Sequence, residues 1–123
     1  MSVIALMRMF IMPKHDCYQA AGRFLMDKWA GGCEHEFTLV HGIVTGQGEI
    51  AGVRYGHAWV EDEKELVYDY SNDREIILPK MLYYAIGQVS NTVHYTIDEV
   101  RGLVVETGIW GAWDETIRAA EHA

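Results

Sequence analysis

A chain of 123 residues, half of them hydrophobic and 23% charged, has the length and composition of one globular domain and argues against a disordered chain. The net charge of −8, from 18 acidic and 10 basic residues, disfavours nucleic acid as a partner, because its phosphates demand clustered Lys and Arg. Two cysteines, Cys17 and Cys33, are too few for a disulfide framework and fit reduced thiols in a cytoplasm.

Met1 to Met12 is apolar and interrupted by Arg8, with neither a basic leader nor a small-residue cleavage site before Pro13. About a dozen residues fall short of the ~20 that span a bilayer, so a buried first element and no membrane contact are expected. Pro13-Lys14-His15-Asp16 then reads as a helix start with Asp16 as N-cap. From Cys17 to about Trp29, the residues Ala21, Leu25 and Trp29 recur beside Phe24 as one buried stripe, and Gly31-Gly32 ends the helix.

Phe37 to Val44 is rich in β-formers and predicts a strand. Gly46 to Gly52 is a glycine-rich turn. A strand rather than a helix follows it, which argues against a phosphate loop. Val53–Glu61 and Glu65–Tyr70 predict two more strands around the charged turn Asp62-Glu63-Lys64, and Glu75–Leu78 a short fourth. Pro79 suits the first turn of a helix running to about Gly87. Val93–Thr96 predicts a further strand, and Thr96-Ile-Asp-Glu99 matches a capping box that opens a helix ending near Gly108. Trp113–Ala120 predicts a last helix. No repeat or linker divides the chain, so the expected organisation is a single α+β domain over residues 1–123: a helix, an antiparallel sheet, then helices.

The candidate chemistry is a thiol site. A free cysteine titrates at about 8.5, and the unpaired amides of a helix N-terminus favour its thiolate. Cys17 stands at such a start. The neighbouring Asp16 opposes a second negative charge, so an imidazolium partner is needed. Tyr55-Gly-His57-Ala-Trp-Val-Glu61 offers one on a strand. With a three-residue turn at Asp62, Glu63 and Lys64, Glu61 faces Glu65, Trp59 faces Val67 and His57 faces Asp69. A carboxylate then lies beside the imidazole, fixing its tautomer and stabilising its charge. Such turns prefer glycine at the last position, where Lys64 stands. A four-residue loop would instead set His57 against Tyr70 and turn Asp69 away.

A cysteine at a helix start, a strand with Gly-His-Ala-Trp-Val-Glu and a strand with Val-Tyr-Asp together resemble the transglutaminase-like branch of the papain-like thiol superfamily. The resemblance covers roughly residues 14 to 70, and its specific part is the run from His57 to Glu61. It implies a catalytic triad of Cys17, His57 and Asp69, with the cysteine on the helix and the other two on adjacent strands. The implied reaction is attack of thiolate on an amide or ester carbonyl through an acyl-enzyme, released to water or to an amine, with no cofactor. The oxyanion would take the Cys17 backbone amide and a second donor that the sequence does not assign. Gln19, His41, Trp59 and Trp113 are the residues expected to line the substrate.

Each of these residues also has a plainer role. Cys17 can be an inert buried thiol and His41 a satisfied core or cleft-wall histidine, while Trp59 and Trp113 can be packing residues. Cys33-Glu-His35, with His41 or His94, is a weak metal set without paired cysteines. The expected substrate is a peptide or protein amide. The short chain leaves little room for an extended substrate lobe, so a partner chain or homodimer is a way to complete the site. The alternative is a protein-binding module that keeps the fold without turnover.

Overall fold

Helix α1 (Cys17–Ala30) presents one apolar stripe, Cys17, Tyr18, Ala21, Gly22 and Leu25, to the sheet beneath it. It ends where Gly32 takes a positive φ of 84° and the Cys33 amide closes on the Lys28 carbonyl. The computed structural model describes residues 17–33, 37–46, 52–71 and 74–121. The apolar Val3–Met12 segment, the Asp16 cap and most of the glycine-rich turn lie outside these residues. Trp29 departs from the expected stripe. It is 37% exposed and lies under the Arg101 guanidinium, 4.3 Å from its ring centroid, so a cation rather than the core covers it.

The strands are β1 (Phe37–Thr45), β2 (Arg54–Asp62), β3 (Leu66–Asp69), β4 (Ile76–Pro79) and β5 (Ser90–Tyr95). They form one antiparallel sheet in the order β4-β3-β2-β1-β5. Strands β1 and β2 pair along their full length, from Phe37↔Asp62 to Thr45↔Arg54. Helix α2 (Lys80–Gly87) follows Pro79 directly. The Thr96/Glu99 capping box opens α3 (Ile97–Thr107), and Gly108 closes it at φ 75°. Asp114 caps α4 (Glu115–Glu121) by accepting from the Thr116 and Ile117 amides. Among the described residues the architecture is therefore α+β, four helices on a five-stranded antiparallel sheet. None of these helices is long and apolar enough to cross a membrane.

The alternation of side chains along β1 and β2 gives the sheet two buried faces. Leu39, Ile43, Ala58 and Val60 pack under α1, α3 and α4. Val40, Val44, Tyr55, Trp59 and Val67 form a second core under α2, with Tyr83 at its centre.

The β2–β3 turn differs from expectation. Val60 faces Tyr68 and Glu61 faces Val67, so the loop is Glu63-Lys64-Glu65, one residue further along the chain. Glu65 takes the left-handed position at φ 63°, where glycine is preferred. The Asp62 carboxylate compensates by accepting from the Lys64 and Leu66 amides and the Tyr68 hydroxyl.

Gly22 is required by close approach: a Cβ there would overlap the indole of Trp110, with Cζ3 at 2.7 Å. Gly22→Ala is expected to destabilise the fold by about 1–3 kcal/mol, the usual effect of overpacking. Urea denaturation followed by tryptophan fluorescence measures it.

Candidate active site

The expected register of His57 against Asp69 is not the one found. Continuing the observed pairing sets Trp59 against Asp69 and His57 against Ser71. Moving a turn by one residue shifts the pairing by two, which preserves the face each side chain takes. His57 therefore reaches Asp69 diagonally rather than straight across. The distance from Nε2 to Oδ2 is 2.8 Å, with both side chains 1% exposed.

Asp69 is held by more than the histidine. The Tyr83 hydroxyl donates to Oδ2 at 2.7 Å, while the Ser71 amide and hydroxyl donate to Oδ1 at 2.9 and 2.6 Å. Burial alone would raise this carboxyl; the charge and hydrogen bond of His57, with the Ser71 and Tyr83 donors, outweigh it and hold Asp69 below the usual carboxylate range. Burial and the adjacent Asp69 push the Tyr83 hydroxyl far up, so it remains a donor.

Cys17 occupies the first position of α1 and is 4% exposed. Its side chain lies beside the His57 ring, close enough to act on the ring's protonation. Asp69 holds Nε2, which leaves Nδ1 as the ring nitrogen for the thiol. Burial pushes the His57 pKa down, but Asp69, by charge and hydrogen bond, and Cys17 together carry it up to about 10. Cys17, His57 and Asp69, far apart in sequence, thus form one connected set.

The other expected site residues are dispersed. Gln19 is half-buried in the first turn of α1. Trp59 is fully buried in the core under α2, where its indole donates to Glu61 Oε2 at 2.9 Å and its ring lies 5.2 Å from that of Tyr83. His41 is fully buried on the opposite face, stacked on Trp113 at 5.1 Å with Tyr18 and Tyr95 edge-on at 4.9 and 5.0 Å. It is not a satisfied core histidine, since neither ring nitrogen meets a hydrogen-bond partner among the described residues. Burial outweighs the attraction of Asp114 and lowers its pKa to about 3, with the charge of His57 acting in the same direction. The Trp113 indole N–H is taken by Thr107 Oγ1 and the Ile109 carbonyl. A cleft of about 250 Å³ opens at the β2–β3 turn between Phe37, Lys64 and Tyr68, among others, and includes none of the three triad residues.

Of the weak metal set, Glu34 and His35 lie outside the described residues, and among those described no three metal-ligating side chains gather. Ser71 and Tyr83 are site residues that the sequence reading missed. Ser71 carried a signal, because Asp-x-Ser at a strand end lets the carboxylate accept from the amide two residues on. Tyr83 carried none.

No protein-family model, curated protein or solved structure matches this chain.

The two buried histidines give opposite pH limbs to stability. The folded protein keeps the His57 proton to about pH 10, whereas an unfolded chain releases it at about 6.5. That contribution is full below pH 6.5 and is lost as pH rises toward 10. Asp69→Asn removes the charge that holds the proton, so its denaturation midpoint is expected to flatten over this alkaline range. His41 has the reverse sign: its neutral form is favoured down to about pH 3, so stability is full above about 6.5 and falls with acid. His41→Phe is expected to weaken the fall between pH 6.5 and 4, measured by urea midpoints against pH.

Proposed function

We propose that this chain is a small thiol-dependent hydrolase or acyl transferase that acts on a peptide-like amide or ester. The observation that carries the reading is the buried cluster in which Asp69 holds one side of the His57 ring at 2.8 Å and the Cys17 thiol lies beside that ring. In the proposed reaction the pair rests with the proton on His57, where Asp69 stabilises the imidazolium, and with Cys17 as its thiolate partner. The sulfur attacks the carbonyl carbon, and the carbonyl electron pair moves to oxygen. His57 then returns the proton to the leaving amine, and water or a second amine releases the acyl group from sulfur.

The order of elements supports the same reading. A cysteine at the start of a helix packed on an antiparallel sheet, with histidine and aspartate on adjacent strands, is the arrangement expected of a papain-like or transglutaminase-like core. Two free cysteines suit a cytoplasmic setting. The acidic balance of the chain disfavours nucleic acid, so we assign a peptide or protein substrate, with a second copy of the chain as the means of extending a small site.

A second reading, a binding module without turnover, is favoured by the near-complete burial of Cys17. Iodoacetamide labelling of Cys17 separates the two, with peptide mapping to set Cys33 apart. A thiol–imidazole pair keeps labelling fast at pH 6, and His57→Ala is expected to slow it on the order of 100-fold, because an ordinary thiol is almost wholly protonated there. Slow labelling that is unchanged in His57→Ala would favour the binding module. A screen with amide, ester and glutamine acyl donors then distinguishes hydrolysis from transfer.

A further inference from the structure

One buried hydroxyl beside the relay has nothing to donate to. Tyr55 precedes His57 by two residues on β2, so both rings rise from the same face of the sheet. Their centroids are 6.0 Å apart with planes at 81°. Tyr55 is 5% exposed, and its hydroxyl meets no hydrogen-bond partner among the described residues. A buried hydroxyl in that state destabilises a fold, which makes its presence next to the cluster informative.

The neighbouring donors are already committed. Tyr83 and Ser71 donate to Asp69, and the Trp59 indole donates to Glu61. The Tyr18 hydroxyl lies against Gly56, which points to the opposite face of β2. Burial, with the charges of Asp69 and Cys17, raises the Tyr55 hydroxyl far above its ordinary range, so it stays protonated and able to donate.

Resting on the thiol reading above, we propose that the Tyr55 hydroxyl is the second donor of the oxyanion hole, acting with the backbone amide of Cys17 at the start of α1. When sulfur bonds to the carbonyl carbon, the C=O pair becomes an alkoxide. A donor with no acceptor in the resting state is stabilised only then, which is the condition for lowering a barrier rather than tightening ground-state binding. Tyr55 gives a hydrogen bond and keeps its proton.

Two probes of Cys17 isolate this step in the full chain. Iodoacetamide alkylates the thiolate by displacing iodide, with no oxyanion. p-Nitrophenyl acetate acylates it through a tetrahedral oxyanion, whose collapse breaks the ester C–O bond, expels p-nitrophenolate with the bonding pair and leaves an acetyl thioester. Tyr55→Phe removes an oxygen that bonds nothing at rest. It is expected to leave alkylation within about twofold and to slow acylation roughly 100-fold, the usual scale for one lost oxyanion donor. Because Tyr55→Phe can also disturb folding, 3,5-difluorotyrosine at Tyr55 provides the opposite test: a more acidic hydroxyl is a stronger donor and should speed acylation while alkylation stays constant.

Acylation unchanged in both variants, or acylation and alkylation changing in parallel, overturns the assignment of Tyr55 alone. Alkylation of the unaltered Cys17 no faster than that of free glutathione overturns the thiol-enzyme reading and the donor with it.

Discussion

A carboxylate taken out of water is the constraint around which this site is arranged. An isolated buried charge is unstable by many kcal/mol unless it is paired and hydrogen-bonded, and Asp69 is 1% exposed. Its oxygens accept from the His57 ring, the Tyr83 hydroxyl, and the amide and hydroxyl of Ser71. These donors come from β2, from α2 and from the turn after β3. The charge on Asp69 therefore does two things. It fastens α2 onto the sheet, and it supplies the field that keeps a buried imidazole protonated against its own desolvation.

The second face of the sheet shows what happens to a histidine without that field. His41 and His57 sit on neighbouring strands, one residue off direct opposition, since His41 faces Ala58 and His57 faces Gly42. Adjacent positions on a strand point to opposite faces, so the two rings enter different surroundings. His57 meets a carboxylate and moves up to about 10. His41 meets the rings of Tyr18, Tyr95 and Trp113, finds no hydrogen-bond partner among the described residues and moves down to about 3. Local sequence does not separate the two, because each lies in a run of β-forming apolar residues; the difference is made by a residue twelve positions away in one case and by its absence in the other.

This also marks how far the sequence could be read. The helices and strands were legible wherever a local rule governs them: the four-residue recurrence of α1, the capping box of α3, proline before α2, alternation in β1 and β2. Register was only half legible. The turn settles at Glu63-Lys64-Glu65 because Asp62 can bind two amides and a tyrosine hydroxyl, contacts that a glycine rule for the last turn position does not contain. The partnership of His57 and Asp69 survived that error only because the slip was an even one. Tyr83 was not legible at all, since its role depends on how α2 lies across β3. Trp29 failed for the related reason that Arg101, on α3, covers it from outside.

Two readings of the site remain, turnover and binding alone, and the energetics of the buried pair bear on them unequally. A module that only docks a partner has no use for a buried carboxylate–imidazole pair. Well-packed apolar residues of similar volume in its place are often neutral or stabilising by about 1–4 kcal/mol. Tyr55 adds to this, since phenylalanine would fill the same space without a buried unpaired oxygen. Glu61 shows that the core under α2 also uses charge structurally, accepting from Trp59 and Tyr84 and pairing with Lys80. The Asp69 cluster differs in that a thiol on α1 lies beside it. Polar groups that a purely structural core would do better without, gathered beside a thiol, weigh toward the proposed chemistry.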